Sequence, residues 1–210
     1  MCDKKHSLFY FDVNGRGESI IMTFKHAGVE FEDHRISFAE FPEVKYNTAA
    51  TPTGHLPVLT TPRGDKLVQS ASIVRYLGNL FNLYGDNLVQ RAHVDAILDT
   101  NKELYDGLID AQFYTPVDDQ KKEKLKILET KIKEAFKYYE YLLKQNDGNP
   151  VFVGSHITIA DIHFIDLMDI INLVFKKNTF IEDYNLLNIL DKETRKSKHL
   201  SEYLAERNKK

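Results

Sequence analysis

Tryptophan is absent from this chain of 210 residues, and cysteine occurs once, at position 2. A single thiol builds no internal disulfide framework, so the chain suits a reducing compartment. Beside the terminus, Cys2 reads as a free thiol rather than a nucleophile. No apolar run approaches the length that spans a bilayer. The opening MCDKKHS lacks the apolar core of a secretory leader, so the expected address is the cytoplasm, with no membrane partner. Charge of one sign is missing too: 28 basic against 31 acidic residues leave a formal net charge of -3, without the basic footprint of a nucleic-acid binder. There is no internal repeat and no low-complexity segment. What the chain has is 42% hydrophobic and 11% aromatic residues, enough to bury a sizeable core.

The first part mixes strand and helix signals. Ser7 to Phe11 is short, apolar and aromatic, which predicts a strand broken at Gly15-Arg16-Gly17. Ile20, Ile21, Phe24 and Ala27 then repeat at helical spacing, with Gly28 as the stop. Val29 to Ile36 alternates as a second strand, and Ser37 is placed to cap a short helix containing Phe41 and Val44. Strands are expected around Pro57–Thr60 and Lys66–Val68, joined by a turn over Pro62–Asp65, with a helix from Ser70 to about Phe81. The order βαβ, then αββα, predicts an α/β thioredoxin-like domain over residues 1–82.

Leu83 to Asp86 reads as a linker, and residues 87–210 as an all-helical domain with only a brief strand-like VFV at Val151–Val153. Leu125, Leu128, Ile132, Phe136, Tyr139 and Leu143 mark one face of a helix whose lysine-rich outside is solvated. Thr158-Ile-Ala-Asp161 has the pattern of a capping box, flanked by Ile157 and Ile162 as a hydrophobic staple. Asp161 is therefore a structural cap rather than a catalytic acid.

The segment GHLPVLTTPRGDKLVQSASIVRYL, from Gly54 to Leu77, carries most of the functional information. Pro57 has no N–H and cannot continue an ordinary ladder, which frees the amide and carbonyl of Leu56 for another partner. The bond before Pro57 is a candidate cis peptide. Ser70 stands at a helix N-terminus, where unpaired N–H groups and the positive dipole end favour a carboxylate. Strand-like pairing beside an anion hole fits a small acidic peptide. Tyr10, near the end of the first strand, lies where ligands bind open α/β sheets, and its hydroxyl can donate to a bound anion. Read alone, Tyr10 is better explained as a core aromatic and Arg16 as a surface arginine.

Joined together, FYFDVNGRGE, EFEDHRI, GHLPVL, QSASIVRYL, HVDAILDT and VGSHITIADIHF resemble segments of the cytosolic glutathione transferases. The nearest pattern is the Sigma class, which includes the glutathione-dependent prostaglandin D synthases. The resemblance covers nearly the whole chain, and it reverses the reading of Tyr10.

It implies glutathione as co-substrate, with Tyr10 hydrogen-bonding the sulfur and Arg16 supporting the thiolate. Phe41 takes the place of a tryptophan against the glycine end, keeping stacking but losing the indole donor. Lys45 matches the lysine for the glycyl carboxylate, and Leu56, beside a cis Pro57, the residue pairing with the cysteinyl backbone. Gln69 and Ser70 match the pair that holds the γ-glutamyl end. Glu103 aligns with an acid, more usually aspartate, supplied by the partner subunit, so a homodimer is expected. The loop from Lys45 to Gly54 is longer than in close relatives, which unsettles the placement of Lys45 and His55. Val13, Phe113, Tyr114 and His163 are candidate linings for an apolar pocket, although His163 also reads as structural. The implied activity is conjugation of glutathione to small hydrophobic electrophiles. The alternatives are a prostaglandin-type isomerase and a non-catalytic binding or structural protein on the same fold. No metal is expected: Asp95, Asp99 and Glu103 share a helix face, and a solvated stripe explains them better than a cation site.

Overall fold

The structure is a computed structural model describing residues 4–176 and 179–207. Cys2 lies outside the described residues. In chain order come β1 (His6–Phe11), α1 (Glu18–His26), β2 (Phe31–Ile36), α2 (Phe41–Val44), β3 (Val58–Thr60), β4 (Lys66–Val68) and α3 (Ser70–Leu80). Helices α4 (Leu88–Ile109), α5 (Asp118–Gln145), α6 (Ile159–Phe175), α7 (Asn185–Arg195) and α8 (Lys198–Arg207) follow. This is the expected thioredoxin-like βαβαββα order followed by an all-α region. Two compact units result, Met1–Phe81 with Lys198–Lys210, and Asn82–Ser197. The last helix, inside the stretch 87–210 that the sequence reads as helical domain, thus belongs to the first unit.

In the first unit the four strands lie in the order β2-β1-β3-β4. β1 and β2 are parallel, His6 opposite Phe31 through Phe11 opposite Ile36. β3 runs antiparallel to β1, with Phe9 opposite Val58, and β4 antiparallel to β3, with Val58 opposite Val68. Alternation along β1 buries His6, Leu8 and Tyr10 on one face. On α1, Ile20, Ile21, Met22 and Phe24 are buried, and Gly28, at φ +67°, ends the helix as its spacing predicts. Ser37 and Glu40 bond reciprocally: the Ser37 hydroxyl accepts from the Glu40 N–H at 3.2 Å, and the Glu40 carboxylate from the Ser37 N–H at 3.0 Å. That pair caps a turn, and α2 starts one turn later. β2 is an edge strand with exposed Glu32, Asp33 and His34, and its charges pair along the strand, His34 with Glu32 and Arg35 with Asp33.

α8 meets α1 in reverse order. Tyr203 and Arg207 reach Glu18, the Tyr203 ring lies under Lys25 at 5.7 Å, and His199 borders Gly28. Burial, and then the neighbouring His199, push the His26 imidazole below its ordinary value. A base whose folded value is lowered supports the fold above its unfolded value, about 6.5, and loses that support as pH falls through it. The His26 contribution to stability should therefore decline as pH falls below about 7.5 and through its lowered folded value, opposite in sign to that of the raised Asp161 carboxyl, and His26→Asn should remove that component of the slope in urea titrations. An equal slope in the variant rejects the assignment.

The second unit is built on buried aromatics and capped helix ends. Phe136, Tyr139, Phe152 and Phe164 pack ring against ring, and the Tyr139 hydroxyl donates to Asn101 Oδ1 at 2.7 Å. Asn87 caps α4, accepting from the N–H groups of Val89 and Gln90. The Glu140 carboxylate accepts from the N–H groups of Leu186 and Leu187, each at 3.1 Å, and so caps α7 from α5. The Thr158–Asp161 capping box forms as predicted, and Asp161 also accepts from the Phe152 N–H. Burial pushes the Asp161 carboxyl up to about 6, against the pull of its hydrogen-bond donors. Val151–Val153 is buried but forms no strand. Among the described residues no helix is long and apolar enough to cross a membrane.

Candidate active site

Strand register assembles the site. With Phe9 opposite Val58 and Val58 opposite Val68, the end of β1, the start of β3 and the end of β4 reach one edge of the sheet together. Tyr10, Leu56-Pro57 and Gln69-Ser70 sit at those three ends. All belong to the first unit.

Tyr10 is 5% exposed, and the chain after it folds back over its ring. A Cβ placed on Gly15 would stand 2.5 Å from the Tyr10 hydroxyl oxygen, and one on Gly17 2.5 Å from a ring carbon. Gly15 also has φ +24°, a conformation that penalises side chains. The Gly15–Gly17 turn is thus a seat of bare backbone for the phenol, and Arg16 stands exposed between the two glycines. Arg35 of β2 fixes the loop that leads into the turn. Its Nη1 donates to the carbonyls of Phe11 at 2.8 Å and Val13 at 3.1 Å. The sequence reading missed Arg35, because nothing local to the loop signals a donor from the neighbouring strand.

Phe41 lies edge-on to Phe11 at 4.9 Å, and Phe11 edge-on to Tyr10 at 5.6 Å. Phe38, which the motifs did not single out, stacks on Phe11 at 4.5 Å and is 64% exposed. An aromatic surface therefore borders the phenol. Lys45 ends α2, and the long loop after it is compact. The Thr51 hydroxyl donates to the carbonyls of Val44 and Lys45, each at 2.9 Å, and Thr51 is 1% exposed. A Cβ on Gly54 would lie 3.3 Å from the Lys45 carbonyl. The loop thus returns His55 and Leu56 beside Lys45, and the exposed His55 ring donates to the Thr53 carbonyl at 2.7 Å.

The Leu56–Pro57 bond is cis. Among the described residues neither backbone group of Leu56 has a backbone partner, as pairing with an extended ligand requires. Gln69 has φ +69° and ψ 114°, a costly conformation for a side-chain-bearing residue and one that recurs at ligand clamps. The Gln69 side chain makes no capping bond to the first turn of α3, which opens at Ser70. That N-terminus suits a carboxylate.

The remaining candidates fall in the second unit. Glu103, on α4, accepts from Lys131 of α5 at 2.5 Å. Asp95 accepts from the Tyr84 hydroxyl at 2.6 Å. Among the described residues no group of three or more His, Cys, Asp or Glu side chains is placed to hold a metal ion. Phe113 and Tyr114 are exposed on a π-helical turn that ends α4, whereas His163 is buried on α6. Val13, in the first unit, is exposed.

This sheet edge offers a backbone partner for an extended peptide, an uncapped helix end for its acid, and a phenol for an anion. Residues 6–79 match the glutathione S-transferase N-terminal domain, and residues 102–207 its C-terminal domain. The chain belongs to the glutathione S-transferase family. Its glutathione-binding domain is the N-terminal one, and glutathione is its co-substrate. It is 35% identical to glutathione S-transferase 1 of Ascaris suum, over 77% of this chain and 78% of that one. It is 32% identical to the hematopoietic prostaglandin D synthase of Homo sapiens, over 81% of each. A monomeric glutathione S-transferase of Necator americanus superposes with a TM-score of 0.84 at 25% identity, covering 97% of both chains.

Proposed function

We propose that this transferase holds glutathione as a thiolate with Tyr10 and Arg16, and conjugates it to small hydrophobic electrophiles. We place it in the Sigma class, in the cytoplasm, as a homodimer. The observation that carries this reading is the bare-backbone seat, with the Tyr10 hydroxyl set over Gly15 at the ligand-binding edge of the sheet. In it, Leu56 pairs with the cysteinyl backbone beside Pro57, Gln69 and Ser70 hold the γ-glutamyl end, and Phe41 and Lys45 take the glycyl end.

The chemistry is one of ionisation. A free thiol titrates near pH 8.5, so at neutral pH only a few per cent is the reactive anion. A hydrogen bond to a charged group contributes about 1.5–3 kcal/mol, and one pKa unit corresponds to about 1.36 kcal/mol. Donation from Tyr10, with the Arg16 charge nearby, lowers the thiol by about one to two units on that scale. With the thiol proton lost to solvent, the sulfur lone pair forms the new bond to the electrophilic carbon, and the displaced electron pair departs with that carbon's leaving group or moves onto the acceptor of a conjugate addition, without an enzyme-bound covalent intermediate. Tyr10→Phe should lower turnover on a generic aromatic electrophile about tenfold or more, with glutathione affinity little changed. Unaltered turnover would reject the thiolate role.

Glu103, the acid proposed to reach glutathione in a second subunit, already accepts from Lys131 through Oε1, so that pair competes with the contact. A second reading, isomerisation of a prostaglandin-like endoperoxide, is favoured by the similarity to a prostaglandin D synthase. It uses the same thiolate, and product analysis with such a substrate separates the two.

A further inference from the structure

Glu18 is a buried carboxylate without a part in the chemistry above. It is the first residue of α1, and its side chain is 1% exposed. Its Oε1 accepts from the Tyr203 hydroxyl at 2.9 Å and from Arg207 Nη1 at 2.8 Å, both on α8. These contacts join positions 185 and 189 residues apart in the chain, within one compact unit. The Arg207 side chain is itself 12% exposed, so the ion pair is shielded from water.

Three links connect this pair to the phenol. The α8 donors hold the Glu18 carboxylate. The Glu18 backbone N–H donates to the Gly15 carbonyl and closes the Gly15–Gly17 turn. Gly15 in turn lies against the Tyr10 hydroxyl, so closely that a Cβ would fall 2.5 Å from it. A shift at the start of α1 therefore moves the backbone on which the hydroxyl rests.

We propose that Tyr203 and Arg207 are positioning residues for the Tyr10 hydroxyl, acting from the C-terminal helix through Glu18 and the Gly15–Gly17 turn. The proposal rests on the reading of Tyr10 as the group that holds the thiolate. Small displacements at a reacting centre cost far more in rate than in binding. The α8 pair accordingly sets how well the thiolate is held rather than whether glutathione binds. The neighbouring charges are consistent with a fixed carboxylate. Lys25 lies over the Tyr203 ring, and burial followed by the Glu18 charge raises the Tyr203 phenol, so it stays a donor throughout the working range. Arg207 and Arg35 oppose that rise without reversing it.

The test is an ultraviolet titration of the thiolate of bound glutathione, with kcat and KM measured on a generic aromatic electrophile. Arg207→Met and Tyr203→Phe should each raise the titration midpoint, by about half a unit or more for Arg207→Met. They should lower kcat about three- to tenfold, with KM for glutathione changed less than about twofold. Arg207→Lys should recover part of the shift. Midpoints equal to wild type in both variants overturn the proposal, even if their unfolding temperatures fall. If Arg207→Met does not fold, Tyr203→Phe, which removes a single oxygen, decides alone. Tyr10→Phe is measured in parallel. If it moves the midpoint and the α8 variants do not, only the positioning role fails; if it does not move the midpoint, the thiolate reading itself fails.

Discussion

Gly15→Ala should reduce turnover about a hundredfold while leaving glutathione binding nearly intact. The added Cβ falls 2.5 Å from the Tyr10 hydroxyl oxygen, but 3.4 and 3.5 Å from the two nearest ring carbons. The clash is thus with the one atom proposed to touch the sulfur. The ring is buried and leaves little room for retreat, so the hydroxyl must leave its direction or the turn must open. The backbone at φ +24° adds about 1–3 kcal/mol of strain for a residue with a side chain. A second measurement makes the argument sharper. In Gly15→Ala/Tyr10→Phe the colliding oxygen is gone, so the double variant should be about as active as Tyr10→Phe alone, a strong departure from additivity. Independent, multiplying losses would show that Gly15 acts elsewhere.

The largest effect on stability is expected at Asp161. Its carboxylate is fully buried and accepts from the Phe152 N–H at 2.8 Å, the Thr158 N–H at 2.7 Å and the Thr158 hydroxyl at 2.7 Å. Asp161→Ala removes the acceptor and strands two backbone donors in the interior of the second unit. Lost caps and unsatisfied buried donors each cost about 1–3 kcal/mol, so a loss of about 4 kcal/mol is expected in urea unfolding. Asp161→Asn keeps one acceptor and should lose about half as much. Thr158→Val, which keeps the carboxylate and its backbone donors, should be the mildest of the three. Equal losses in all three would mean that the side chain fills space rather than caps.

The parts of this molecule that were legible in its sequence are those with local causes. The capping box needs only residues 158–161 to close it, and the Gly28 stop and the Lys66–Val68 strand are likewise set by near neighbours. The same holds for Leu56-Pro57, because a proline denies its own N–H to any ladder. What sequence spacing does not reveal is set by distant partners. Arg207 carries no local sign that it serves Glu18, and so α8 reads from the sequence as part of the helical domain. Gln69 carries no local sign of its positive φ, a conformation uncommon for a residue with a side chain. Glu103 shows its alignment but not its pairing with Lys131, a residue 28 positions away. The Gly15 seat lay within reach, because a glycine that follows an aromatic strand end is a signal of close backbone approach.

The outer strand β2 has a bearing beyond the site. Among the described residues no strand pairs with its outer side, and such an edge invites a strand from another molecule. Glu32, Asp33, His34 and Arg35 line that border, with Arg35 paired to Asp33 and the His34 ring on Glu32. An incoming strand would have to strip water from four ionisable side chains before gaining its first ladder bond, a recurrent guard against edge-to-edge aggregation.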